Sequence, residues 1–258
     1  MRDTIQRLFS LDDAVALVTG SSAGIGLALA SGLAEAGARV VVNGRDSRKV
    51  AAAVAAMTSE GLAAHAAVFD VTDPQGVERG IVQIEQDVGP IRVLVNNAGI
   101  QRRMPLEDFP PETWRELMRT NLGAVFYVGQ AVARRMIPRG KGQIINIASV
   151  QSELARSNIA PYTASKGAVK MLTKGMATDW GKYGLRTNAL APGYFRTELN
   201  KALVEDDKFS AWLSARTPLG RWGDVQELVG AAIFLASDAS SFVNGHVLYV
   251  DGGVTACL

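Results

Sequence analysis

Short runs of apolar, mostly β-branched residues alternate with longer stretches of helical period along this chain. Ala14 to Thr19 is the first such run, and a helical stretch from Gly24 to Ala36 follows, with Gly37 as its stop. Arg39 to Asn43 predicts a second strand, and Asp46 can cap the alanine-rich helix after it. Ala63 to Phe69, Ile91 to Val95, Gln143 to Ala148, Leu185 to Leu190 and His246 to Val250 predict further strands. Pro74 opens a helix, Pro111 to Ile137 reads as one long helix, Pro161 to Lys182 as another, and Asp224 to Ala236 as the last. The strands are near-continuous apolar runs, as expected where both faces of a sheet are buried. Strand–helix alternation predicts an α/β fold, a doubly wound parallel sheet of about seven strands with helices on both faces. No linker or repeat divides residues 1–258, so one domain is expected. The stretch 194–216 carries no strand pattern and reads as an insertion.

Composition narrows the partners. A net charge of +2 is too small to suggest a nucleic-acid partner. Cys257 is the only cysteine, which rules out an internal disulfide and points to a reducing compartment. No apolar run approaches the ~20 residues that span a bilayer. Arg2, Asp3, Arg7, Asp12 and Asp13 leave no apolar stretch of the signal-peptide kind at the start. A soluble, cytoplasmic protein with no membrane partner is expected. His65 and His246 stand apart at strand edges, and no cluster has metal-ligand spacing, so no metal is expected.

The turn Thr19-Gly20-Ser21-Ser22-Ala23-Gly24-Ile25-Gly26 joins the first strand to the first helix. Glycines there let the backbone approach a pyrophosphate, and the helix N-terminus offers free N–H groups. Gly20, Ser22, Gly24, Ile25 and Gly26 are therefore candidate cofactor contacts. At the end of the second strand an NAD-selective site usually carries a carboxylate on the ribose. That position is Gly44 here, and Arg45 follows. A guanidinium suits a 2′-phosphate, so NADP(H) is expected as the preferred cofactor. Asp46 keeps NAD(H) open. Asp70 and Val71, after the third strand, are expected near the adenine.

Tyr162 and Lys166 are four residues apart, one helical turn. An ammonium beside a phenol favours phenolate, so Tyr162 is expected to titrate below its usual ~10 and to exchange protons with an alcohol or carbonyl. Ser149 ends the fifth apolar run. The plain alternative for both is polar packing at a strand end and a helix start. Arg134, Arg135, Arg139 and Lys141 form a basic cluster that suits a solvated helix end.

Together, Thr19-Gly20-x-x-x-Gly24-x-Gly26, Asn96-Asn97-Ala98-Gly99, Asn121, Ser149, Tyr162-x-x-x-Lys166 and Pro192-Gly193 resemble the short-chain dehydrogenase/reductase family over nearly the whole chain. The resemblance implies a Rossmann-like dehydrogenase domain and a catalytic tetrad of Asn121, Ser149, Tyr162 and Lys166. Ser149 would hydrogen-bond the reacting oxygen, and Tyr162 would be acid in reduction and base in oxidation. Lys166 would tune Tyr162 and hold the nicotinamide ribose, and Asn121 would interrupt the long helix and position a relay water. Asn97, Ala98, Gly99, Pro192, Gly193 and Thr197 would line the cofactor, Thr197 at its carboxamide. A homotetramer is implied, with the segment Phe242 to Leu258 near a subunit interface.

The segments around these motifs resemble the sugar-acid dehydrogenases of that family, which implies a small sugar-acid substrate. Arg102-Arg103 leaves the fourth strand at the ligand end of the sheet. Alternate residues of an extended segment face opposite sides, so Gln101 and Arg103 share one. Arg103 is the candidate for a substrate carboxylate. Gln151 and Glu153 are candidates for sugar hydroxyls beside Ser149 and Tyr162. A 3-oxoacyl carrier-protein reductase, with the basic cluster as docking patch, is the runner-up. A nucleotide-sensing protein without turnover is the reading from another class.

Overall fold

The computed structural model describes residues 2–257; Met1 and Leu258, the ends of the expected domain and interface segment, lie outside it. Seven strands form one sheet: β1 (Val15–Val18), β2 (Arg39–Gly44), β3 (Ala64–Val68), β4 (Ile91–Asn96), β5 (Gly142–Ile147), β6 (Leu185–Pro192) and β7 (Val247–Val250). All pair in parallel in the order β3-β2-β1-β4-β5-β6-β7. The order reverses between β1 and β4. Loops leaving those two strands diverge, and a crevice opens at the carboxyl edge of the sheet.

The helices are α1 (Arg2–Phe9), α2 (Gly24–Glu35), α3 (Ser47–Ser59), α4 (Pro74–Asp87), α5 (Pro111–Met118), α6 (Ala124–Met136), α7 (Ala160–Trp180), α8 (Lys201–Val204), α9 (Asp207–Arg216) and α10 (Val229–Ala236). β1 shows why its run is apolar throughout. Ala16 and Val18 pack with Leu29, Leu33, Met57 and Leu235 of α2, α3 and α10. Val15 and Leu17 face the opposite layer, with Ile81 of α4 and Val128 and Val132 of α6. Every second side chain changes face, and both faces are covered.

The long helix from Pro111 is interrupted at Asn121, as the family resemblance implied, by a widened turn, Arg119–Gly123, with π-type hydrogen bonding. Other bounds shift. The last inner helix opens as a 3₁₀ turn, Val225–Leu228, before α10. The insertion after β6 is helical, comprising a 3₁₀ turn at Glu198–Asn200, α8 and α9. It is tied back by the pairing of Phe195 with Gly223. Asp46 caps α3 as expected, accepting from the backbone N–H groups of Arg48 and Lys49 at 2.9 and 3.2 Å.

Candidate active site

One continuous cavity of about 460 Å³ follows the carboxyl edge of the sheet. At one end it is lined by Gly20, Ser22, Gly24, Ile25 and Gly26. Ala23, at the N-cap of α2, has no side chain to cap the helix. The first-turn N–H groups therefore keep their partial positive charge. Gly24 adopts φ +59°, and nothing stands within 4 Å of where its Cβ would be. Gly20, at φ +61°, lets the turn meet the loop after β4, because a Cβ there would lie 2.9 Å from Ala98 Cα. Asn97 Nδ2 donates to the carbonyls of Thr19 and Gly20, at 2.9 and 3.0 Å. Thr19 Oγ1 accepts from the N–H groups of Asn97 and Ala98. This open cradle of backbone donors fits a pyrophosphate.

Asn43 Nδ2 donates to the carbonyls of Ala67 and Phe69, which holds the end of β3 against β2. Beyond it, Gly44, Arg45, Asp70 and Val71 line the cavity. Gly44 presents no carboxylate. Arg45 is exposed and lies 3.8 Å from Asp70 Oδ2. Burial pushes Asp70 up, but hydrogen bonds from the Thr72 N–H and hydroxyl, with the Arg45 charge, hold it below the ordinary range.

At the other end, Asn97, Ala98, Gly99, Pro192, Gly193 and Thr197 line the cavity with Ser149, Tyr162 and Lys166. Ser149 is buried; its Oγ accepts from the Gln151 N–H at 3.1 Å and hydrogen-bonds the Tyr162 hydroxyl. The expected effect of Lys166 on Tyr162 is overturned. Burial raises the Tyr162 phenol, and the Ser149 hydrogen bond and the Arg103 charge only partly oppose it. Lys166 Nζ is 5.7 Å from the Tyr162 ring centroid and donates instead to the Ile147 carbonyl at 2.6 Å. Burial lowers Lys166 itself to about 8. A cation that the protein has desolvated is a weaker tuner than its spacing implies.

Asn121 sits in the widened turn, buried, and does not line the cavity. Its Oδ1 accepts from the Ile100 N–H at 2.8 Å, and its Nδ2 donates to the Ile100 carbonyl at 3.0 Å and to Ser165 Oγ at 3.2 Å. Its side chain therefore anchors the loop after β4 to α7.

That loop presents Gln101 and Arg103 to the cavity, whereas Arg102 turns away to pair with Glu116. Arg103 donates to Asn200 Oδ1 at 3.1 Å. Gln151 is buried in the cavity wall, and its Nε2 lies 3.4 Å from the Tyr194 hydroxyl. Glu153 does not belong with them. It is exposed, pairs with Lys170 and accepts from the Tyr249 hydroxyl at 3.0 Å. The 3₁₀ turn Val150–Ser152 carries the chain around, so Gln151 points in and Glu153 out. Tyr194, Arg156 and Asn200 line the cavity without having been expected there. They come from loops and short helices, which carry no periodic signal. In the basic cluster, Arg135 pairs with Glu78, Arg139 with Glu85 and Lys141 with Asp238. Among the described residues no group of His, Cys, Asp and Glu is placed to hold a metal, and no helix is long and apolar enough to cross a membrane.

Residues 20–255 match the family model described as enoyl-(acyl carrier protein) reductase. A gluconate 5-dehydrogenase of Gluconobacter oxydans (strain 621H) is 64% identical over 251 residues, covering 97% of this chain and 98% of that protein. A 5-keto-D-gluconate 5-reductase of Escherichia coli (strain K12) is 53% identical over 247 residues, covering 96% and 97%. The crystal structure of a gluconate 5-dehydrogenase from Burkholderia cenocepacia J2315, in complex with NADP and tartrate, is similar at a TM-score of 0.96. Its sequence identity is 61%, over 98% of this chain and 100% of that one. With identities this high along nearly the full length of both partners, the chain belongs to the short-chain dehydrogenase/reductase family of oxidoreductases.

Proposed function

We propose that this chain interconverts D-gluconate and 5-keto-D-gluconate by hydride transfer with NADP(H). The observation that carries the reading is that Arg103, Ser149 and Tyr162 line the same end of one cavity, with the guanidinium close enough to the phenol to influence its titration. A carboxylate on Arg103 would present the other end of a short acid to the proton-transfer pair. The gluconate 5-dehydrogenase and 5-keto-D-gluconate 5-reductase relatives support that choice of acid. The 3-oxoacyl reading is weaker, because the basic cluster it needs is paired with Glu78, Glu85 and Asp238.

When bound, the nicotinamide would supply or accept the hydride. Gly20, Ser22, Gly24, Ile25 and Gly26 would hold the pyrophosphate, Asp70 and Val71 the adenine, and Arg45 the 2′-phosphate. Without a carboxylate at Gly44, NADP(H) is favoured over NAD(H). Asn97, Ala98, Gly99, Pro192, Gly193 and Thr197 would flank the nicotinamide, with Lys166 on its ribose. Ser149 would hydrogen-bond the reacting oxygen, and Tyr162 would give it a proton in reduction and remove one in oxidation. Asn121 would act by fixing the loop that carries Arg103. Gln151 would face a sugar hydroxyl, and the insertion around 194–216 would close over the substrate.

The same reading takes the chain as one domain, cytoplasmic, assembled as a homotetramer. Exposed Trp114, Phe126 and Met171 on α5, α6 and α7, and Phe242 near the C-terminus, are apolar surface that assembly would cover. Sedimentation equilibrium at four times the chain mass is the expected result.

The direct test follows NADPH oxidation with 5-keto-D-gluconate and with a neutral ketohexose. Arg103→Ala should lower kcat/KM for the acid at least ~10-fold, the scale of one charge-assisted hydrogen bond. The neutral ketose should suffer less. Absence of turnover with the acid by the unmodified protein would overturn the reading.

A further inference from the structure

We propose that Arg156 is a second anion-binding residue of this cavity and that, together with Arg103, it selects sugar acids over neutral polyols. The inference deepens the proposed function and rests on its reading of the cavity as the substrate site.

Arg156 lines the cavity on the segment that follows the 3₁₀ turn Val150–Ser152. An arginine on such a loop ordinarily extends into water. This one is held against an aromatic wall, with its guanidinium carbon 5.4 Å from the Phe209 ring centroid. Phe209 belongs to α9 and packs in turn against Tyr194 and Trp222, at centroid distances of 5.8 and 6.1 Å. Tyr194 and Trp222 meet edge to face at 5.9 Å. A guanidinium over a ring is attracted by the π face and fixed in plane. Arg156 also hydrogen-bonds the Tyr194 hydroxyl, which leaves it further N–H groups for a planar partner in the cavity.

Its electrostatic surroundings point the same way. Among the described residues no carboxylate forms an ion pair with Arg156, and its Nε is buried without a hydrogen-bond partner. The charge beside it is another guanidinium, that of Arg103. Burial first, and then the Arg156 charge, pull Arg103 below the usual guanidinium range. Two cations confined in one cavity repel, and an anion between them converts that repulsion into two attractions. Arg103 reaches the cavity from the β4 loop and Arg156 from the β5 loop. A carboxylate would therefore be gripped from two strands of a rigid sheet. A neutral polyol of the same length offers hydroxyls but cannot relieve the repulsion.

Isothermal titration with D-gluconate and with D-glucitol, its uncharged analogue, at saturating NADPH tests this without turnover, because neither alcohol can accept a hydride from the reduced cofactor. Unmodified protein should bind gluconate at least tenfold more tightly than glucitol. Arg156→Gln should lose that preference at least tenfold, and Arg156→Lys should recover only part. In the double variant with Arg103→Gln, the loss should be smaller than the product of the single losses, because both residues hold one group. Phe209→Leu, which leaves both charges in place, should weaken the preference in the same direction and covers the case of a misfolded Arg156 variant. Three results overturn the proposal. One is a gluconate affinity of Arg156→Gln within twofold of the unmodified protein. Another is an equal loss for gluconate and glucitol, which marks a structural role. The third is unmodified protein that does not prefer gluconate. If 5-keto-D-gluconate is not reduced, the proposed reaction fails, and the gluconate titration still decides the role of Arg156.

Discussion

Burial raises the Tyr162 phenol, so its neutral form prevails at neutral pH, and that is the form able to give a proton to a carbonyl oxygen. Oxidation of an alcohol needs the opposite form. The kcat/KM for gluconate oxidation is therefore expected to climb with pH between about 7 and 10, while reduction stays level and declines only on the alkaline side. Tyr162→Phe should cut turnover at least ~10²-fold in both directions, abolish the alkaline rise and leave NADPH affinity intact. Paired pH–rate profiles read all of this, and an oxidation rate flat in pH would contradict it. Arg45 makes a second argument at this scale. Its side chain is 75% exposed and 3.8 Å from Asp70, a pairing too solvated to hold it firmly. It is thus free to meet a phosphate. Arg45→Asp should weaken NADPH binding by about 1.5–3 kcal/mol and spare NADH, as read by fluorescence titration. Equal affinity of the unmodified protein for both cofactors would reject the preference.

The widened turn at Arg119–Gly123 shows one element serving another. An α-helix that gains a residue in one turn shifts the side chains that follow, and such bulges often mark functional segments. Here Asn121 is placed to make two hydrogen bonds with the Ile100 backbone and one with Ser165 of α7. Asn121→Ala would strip the Ile100 N–H and carbonyl of these partners, at an expected cost of about 1–3 kcal/mol. It should also lower kcat/KM for the acid, because the loop carrying Arg103 loses its anchor. Urea unfolding and steady-state kinetics measure the two effects together. Lost activity at unchanged stability would mean that Asn121 acts on proton transfer and not on the loop. None of this is visible in residues 111–137 alone. Val125, Val128 and Val132 continue an apolar helical period, and the bulge depends on a loop 21 positions away. The short helix α1, by contrast, has a local signal, since Ile5, Leu8 and Phe9 stand at i, i+3 and i+4.

For the molecule as a whole, the buried lysine opposes folding. Lys166 falls to about 8 in the folded protein from 10.5, and its charged form is the one burial penalises. Below about pH 8 it is protonated in both states and the penalty is complete. Between about 8 and 10.5 the unfolded chain binds more protons than the folded one, so stability rises with pH. Unmodified protein should therefore gain stability over Lys166→Met across that window, on the order of 3 kcal/mol. Denaturant unfolding of both proteins at neutral and alkaline pH checks it, and a gap that stays constant would refute the assignment.

The strand runs, the glycine turn and the turn-spaced pair Tyr162 and Lys166 were legible in the residues alone. Each is local: a period, a backbone conformation or a spacing along one helix. The burial of Val15, Ala16, Leu17 and Val18 follows from an apolar run that only a sheet covered on both sides can accommodate. Tertiary structure alone decided the direction in which Tyr162 titrates, the turning of Glu153 toward Lys170 and Tyr249, and the meeting of Arg103 with Arg156. Desolvation and Coulomb interactions depend on distance in space, and the neighbours that set them here come from strands, loops and helices far apart in the chain.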